Sequence, residues 1–474
     1  MQPNDAGPSA AEPAALNEAG LWSSLKEAVH GSRQDFTRGP IGRAILLLAV
    51  PMVLEMVMES VFAIVDVFVV SRLGADAVAT VGLTESMLTI IYAVAIGLTI
   101  GATAVVGRRI GERDPEGAAR SAVQAIAIAV MAALPISLAG IFLARPLLAL
   151  MGASPWVLDH GVVYTRVMLG SAPIILLLFL INAIFRGAGD PAIAMRVLWL
   201  ANGINIVLGP ILVFGLGLGV VGAATATAIG RGVGVLYQLY RLFGPGGRVR
   251  VEPRHLVMEA STMLTMLRLS GSGMVQILIG MTSWIFLVRI ISGFGSTAVA
   301  GYTIAIRMVI FALLPSWGLA NAAATLMGQN LGAQQPDRAR QAVWMACRWN
   351  MVFLGVVGLF FFASADPLVG IFSSDPLVHP VGVSCLRIVS IGFLFYAFGM
   401  VLSQAFNGAG DTWTPTLINV LCFWIVELPL AWILSYQLEM GPRGAFWSIV
   451  VCHTLLAVVS AIIFRRGRWM MRKV

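Results

Sequence analysis

Glu55, Glu59 and Asp66 lie inside the apolar stretch that runs from Pro51 to Gly74. Steps of four and seven residues leave all three within roughly 40° of one helical face, at about 100° per residue. Facing lipid, three ionised carboxylates would cost about 8–10 kcal/mol on insertion scales. The stripe therefore faces a wet chamber or a polar partner. A carboxylate there can exchange protons, pair with an organic cation, or hold sodium together with amide and carbonyl oxygens. Asp66 and Glu59 are the candidates for ion coupling, with sodium at Asp66 the one metal chemistry that the set allows. Glu55, early in the stripe, is a candidate cargo contact. A purely structural role, bonding a neighbouring helix, stays open for each.

Other polar groups sit in equally apolar surroundings. Asn202 and Asn205, three residues apart on one side of a helix, could complete an ion site with Asp66. Glu85, Gln276 and Glu427 are candidate cargo contacts. Trp284 and Tyr396 join them as aromatic surfaces suited to flat cations. Arg307 could pair with one of the acids. No His-Asp, Ser-Lys or metal-ligand constellation occurs in the apolar runs, and His453 stands alone as a packing residue. There is no P-loop, so ATP is not the direct energy source. The chain reads as neither an enzyme nor a cofactor carrier. Four scattered cysteines show no pairing pattern.

The elements that position these groups are membrane helices. The 474 residues are 58% apolar and 11% charged, where soluble proteins hold about 25% charged residues. Twelve runs of spanning length recur, roughly at 43–70, 77–106, 118–142, 160–185, 192–216, 220–242, 270–292, 297–327, 342–364, 384–406, 415–436 and 444–464. Arg and Lys gather in alternate loops and in the tail RRGRWMMRKV. That asymmetry argues against nucleic acid as the reason for the net charge of +8, and places both termini in the cytoplasm of an inner-membrane protein. Residues 1–42 read as a disordered and then amphipathic cytoplasmic segment, with Leu21, Trp22, Leu25 and Val29 on one face. Residues 43–243 form a first six-helix lobe, 244–269 a cytoplasmic loop, 270–464 a second lobe, and 465–474 a basic tail. Pro51 is a candidate kink.

The lobes repeat at one fixed offset, the step from Gly74 to Gly295. GADAVATVGL from Gly74 matches GSTAVAGYTI from Gly295, GRRIGERDPEGAA from Gly107 matches GQNLGAQQPDRAR from Gly328, and FRGAGD from Phe185 matches FNGAGD from Phe406. After one inserted residue, GVVGA from Gly219 meets GPRGA from Gly441. Six spans per half make the repeats parallel, which places a substrate site at their interface. The offset maps Glu55, Glu59 and Asp66 onto Gln276, Gly280 and Leu287, so this stripe has no acidic twin.

PMVLEMVMESVFAIVDVFVVSRLG, GRRIGERDPEGAAR, LPSWGLANAAATLMGQNLGAQQPDRAR and the two Gly-Ala-Gly-Asp loops resemble the multidrug and toxic compound extrusion (MATE) family over residues 43–464. The resemblance implies two six-helix lobes in an inverted V around a central cavity, and export of drugs or metabolites against protons or sodium. In the NorM-like branch a Glu and an Asp help make a second-lobe cation site; Gly280 and Tyr396 align there. The DinF-like branch is nearer in the first span but often has an Asp before a span proline, where NIVLGP has Gly209. The chain departs from both.

The expected function is thus a monomeric, all-α polytopic antiporter of small organic, often cationic, molecules, in contact with membrane lipid. The competing reading is a flippase of lipid-linked saccharides. Such a flippase would line its cavity with Arg and Lys, whereas the stripe here is acidic.

Overall fold

The computed structural model describes residues 18–472. It is helical throughout the membrane region. α1 runs Ile41–Ser71, α2 Ala75–Gly111, α3 Pro115–Leu150, α4 Val157–Ala188, α5 Pro191–Gly215 and α6 Gly219–Phe243. The second lobe has α7 Ala260–Ser292, α8 Ser296–Gly332, α9 Pro336–Ala363, α11 Trp413–Gln437 and α12 Pro442–Arg465. Its α10 consists of His379–Ile391 and Phe393–Gly408, bent by 55°. Ten of these helices are long and apolar enough to cross a membrane, and the bent pair makes an eleventh. The 31-residue α1 completes twelve. Pro51 is buried within α1 without breaking it.

The repeat is visible in the backbone. α2 and α8 are both 37 residues long and start after Gly74 and Gly295, each with φ of 97°. That left-handed conformation is strained for any residue with a Cβ. Arg113 and Gln334, related by the same offset, turn the chain with φ of 59° and 57°. These turns fix identical helix exits in both lobes.

The lobes are fastened at one end only, the end that carries both described termini (the near end). There Gly107 of α2 crosses Gly328 of α8, and a Cβ on Gly111 or Gly332 would overlap the backbone of Gln329 or Arg108. Across this crossing Gln329 Nε2 donates to the Gly187 carbonyl at 2.9 Å and Thr325 Oγ1 to the Arg186 carbonyl at 3.1 Å. The first half of α1 shares an apolar core with α8, α9 and α10 of the opposite lobe, while Met266 and Leu269 of α7 enter the first-lobe core. Among the described residues, no hydrogen bond or ion pair joins the lobes at the far end. Each lobe keeps a core of its own there.

The lead helix Glu18–His30 buries Ser24 and Ala28 and leaves Trp22 73% exposed. The expected apolar face is thus turned outward at Trp22 rather than packed on the bundle. The disordered start expected for the segment 1–42 lies almost wholly outside the described residues. The loop between the lobes is lashed to the first one: Glu116 at the start of α3 meets His255 Nε2 at 2.6 Å and Arg254 Nη2 at 2.8 Å. The tail is held too, with Trp469 buried and stacked on Phe464 at 4.8 Å.

Candidate functional site

Three cavities among the described residues hold expected site residues within the membrane region. A central cleft of about 190 Å³ opens between the lobes, with Glu59 and Arg186 on one side and Asn321, Gln404 and Asn407 on the other. A second cavity of about 270 Å³ lies inside the first lobe, between α1, α2, α4 and α6. A third, of about 140 Å³, lies mostly in the second lobe and shares Trp317, Gln404 and Asn407, and Ile96 and Ile100 of α2, with the cleft.

The single acidic stripe expected on α1 is divided among different surroundings. Glu55 is 1% exposed and accepts from Arg186 Nη1 at 2.7 Å and Asn182 Nδ2 at 3.3 Å. Gln238 Nε2 extends this chain by donating to Asn182 Oδ1 at 2.7 Å. Glu55 was expected to touch cargo; its charge is instead committed to Arg186, because a buried carboxylate needs a paired cation. Glu59 one turn on reaches the cleft and accepts from Asn202 Nδ2 at 3.0 Å. Asp66 faces the first-lobe cavity, two turns further.

In that cavity Asp66 and Glu85 face Arg231, Tyr92, Tyr164 and Thr227. Arg231 is 6% exposed, donates to the Tyr92 hydroxyl at 3.2 Å and lies 6.0 Å from the Phe62 ring centre. No carboxylate is within ion-pair distance of it among the described residues, so the three charges surround open space. Asn205 donates to Thr227 Oγ1 at 2.8 Å. It therefore stands behind the cavity wall, while Asn202 belongs to the Glu59 side.

Gln276 and Tyr396 line the second-lobe cavity. Tyr396 stacks on His453 at 4.3 Å, and Phe423 meets the same imidazole edge-on at 5.7 Å. His453, expected only to pack, thus lies on a cavity wall. Trp284 and Glu427 lie outside all three cavities. Trp284 is 51% exposed and donates to the Tyr302 hydroxyl at 2.9 Å. Glu427, 5% exposed, accepts from Ser283 Oγ at 3.2 Å at the end of a π-helical segment, Val420–Glu427. Arg307, expected to pair with an acid, forms no ion pair among the described residues. Arg186 and Arg231 were not singled out from the sequence. Arg231, a cation midway along the apolar run of α6, carried a readable signal; Arg186 sat in a loop cluster that topology alone explained.

The model of the MatE family matches residues 51–211 and 272–433, one copy in each lobe. The chain belongs to the MatE family. Like the family's other members it is a transporter, not an enzyme. It is similar to the multidrug export protein MepA of Staphylococcus aureus, at 24% identity over 90% of this chain and 94% of MepA. It is also similar to an FAD transporter of Shewanella oneidensis, at 25% over 92% and 96%. A solved outward-facing multidrug-resistance MATE transporter superposes with a TM-score of 0.86 at 28% identity, covering 92% of this MatE chain and 97% of the other.

Proposed function

We propose that this protein exports small amphipathic organic molecules, many of them cationic, in exchange for protons or sodium. The near end faces the cytoplasm of the inner membrane, and a single chain is the working unit. The observation that carries this reading is the separation of two polar sites. Asp66, Glu85 and Arg231 enclose one cavity inside the first lobe, while a distinct cleft with Glu59 runs between the lobes. An ion can thus act on the first lobe while cargo occupies the cleft. The lobes are fastened at the near end and free at the far end, which is an outward-open arrangement. Alternating access then requires the glycine crossing to part while the far end closes. Relatives named for multidrug export and for FAD transport support an organic cargo.

The flippase reading is not favoured. The one cation of the cleft among the described residues, Arg186, is already neutralised by Glu55, leaving no free basic set to grip a pyrophosphate. The test is efflux of a fluorescent organic cation from proteoliposomes with proton and sodium gradients imposed separately, for wild type and Asp66→Asn. Uphill transport driven by one gradient and lost in the variant is expected. Undiminished transport by Asp66→Asn would remove Asp66 from coupling.

A further inference from the structure

A cavity larger than the cleft lies away from it and shares none of its lining residues. It is a basin of about 730 Å³ on the near end, on the outer side of the glycine crossing. Its walls come from six places in the chain: the segment after the lead helix, the α2–α3 turn, the start of α5, the end of α6, the inter-lobe loop, and Gln329 of the second lobe.

Five arginines and three aspartates line it. Asp35 is matched, since it sits 3.6 Å from Arg113. Asp114 is occupied as the α3 cap, accepting from the Gly117 amide at 2.8 Å. That leaves Arg33, Arg196, Arg241 and Arg248 around two acids, Asp114 and Asp190, with none of the four at ion-pair distance from either. Burial pushes the Asp190 carboxyl above its ordinary value despite these four guanidinium groups, which weakens it further as a counter-charge.

Two of the arginines are held by neutral oxygens. Arg248 donates to the Ser32 and Gln34 carbonyls at 2.8 and 2.7 Å, and Arg196 to the His30 carbonyl at 3.1 Å. Carbonyl oxygens orient a guanidinium without cancelling its charge. Arg241 Nε is buried with no hydrogen-bond partner. The basic bias of loops on this side explains why arginines are present, but not why four without an ion-pair partner among the described residues converge on one concave basin.

We propose that this basin binds a phosphate-bearing anion, either a free polyphosphate or an anionic lipid headgroup. Guanidinium forks suit phosphate oxygens bidentately, and the volume accommodates a group of two or more phosphates. The site is independent of the transport reading and is tested without it.

The measurement is binding of inorganic pyrophosphate to the full-length protein in neutral detergent, by titration calorimetry. Wild type is compared with Arg33→Gln/Arg241→Gln and with Arg289→Gln, an exposed far-end control. Saturable binding weakened roughly tenfold or more in the double variant, and unchanged in the control, assigns the site to free phosphate. Absent that, the thermal midpoint is measured in nanodiscs of phosphatidylcholine with and without phosphatidylglycerol. A rise lost only in the double variant assigns it to the lipid headgroup. Neither response, or equal responses in the double variant and the control, overturns the proposal. Arg33→Glu, at an exposed position, repeats the test should the double variant fold poorly.

Discussion

Position 231 on α6 and position 453 on α12 are equivalent in the repeat once its single inserted residue is counted, and hold an arginine and a histidine. Arg231 faces two carboxylates across a polar cavity. His453 is clamped between Tyr396 and Phe423 beside Gln276, with no acid on the cavity wall. Glu427, an acid buried in a second-lobe span, lies outside that cavity, and the repeat shows how it came to its position. Gly189 and Gly410 keep the fixed offset, whereas the π-helical segments Ile211–Gly215 and Ile433–Gln437 stand one position further apart. The extra residue falls in Val420–Glu427, a π segment with no first-lobe counterpart. An insertion absorbed as a π-bulge rotates the helix before it against the helix after it. Glu427 thereby reaches the place of Asn205. One backbone plan thus carries a charged cavity in one lobe and an aromatic one in the other.

The contrast is sharpest at Arg186 and its repeat partner Asn407, which both line the cleft. Arg186→Gln leaves Glu55 buried and unpaired, and a loss of about 3–5 kcal/mol is expected. Asn407→Ala removes a neutral hydrogen bond to Gln404 of 2.8 Å, with an expected loss of about 1 kcal/mol. Thermal unfolding in detergent measures both, and equal losses would mean that the lobes are not electrostatically different. Glu55→Gln added to Arg186→Gln should restore part of the stability, since it removes the stranded charge.

Next in size is Arg231→Gln. Without the guanidinium, Asp66 and Glu85 face each other with no cation between them. External sodium is then expected to change transport on the order of tenfold more than in wild type, the worth of about one charged contact. His453→Gln should produce no such sodium response, because no carboxylate shares its cavity wall. A sodium response in both variants, or in neither, would erase the distinction between the cavities.

The fold was legible because its signals are local or periodic: spans of sufficient length, loops of alternating charge, and motifs repeated at one offset. Gly107, Gly111, Gly328 and Gly332 are visible in the sequence as a motif, and their close crossing is its physical reason. The site was legible in part. The spacing of Glu55, Glu59 and Asp66 put them on one face, but a face running from position 55 to position 66 passes through different neighbours. Which neighbour each acid meets depends on partners such as Arg186, 131 residues from Glu55. Periodicity within one helix contains nothing about that distance. The inserted residue was visible in the repeat, but its absorption as a π-bulge at Val420–Glu427 was not, since one residue leaves the hydropathy of α11 unchanged.

A smaller effect is expected at Glu427. Glu427→Gln keeps a group able to bond Ser283, so ion-driven flux should stay within about twofold of wild type. Proteoliposome flux under the driving gradient measures it. A loss as large as that of Asp66→Asn would place a coupling acid in the second lobe, and the comparison between lobes would have to be redrawn around two sites.

The smallest change is Tyr396→Phe. No hydrogen bond to the Tyr396 hydroxyl is formed among the described residues, and the stack on His453 needs only the ring. The substitution therefore leaves the cavity's shape and both aromatic contacts in place, and removes one polar atom from its wall. Coupling should be untouched. Preference among cargo cations should shift by no more than about fivefold, the scale of one net hydrogen bond. Competition between two fluorescent cations of different polarity reads that shift directly. If Tyr396→Phe abolished gradient-driven transport while cargo still bound, the second-lobe cavity would be part of the coupling machinery, and the open charges around Asp66 would need another purpose.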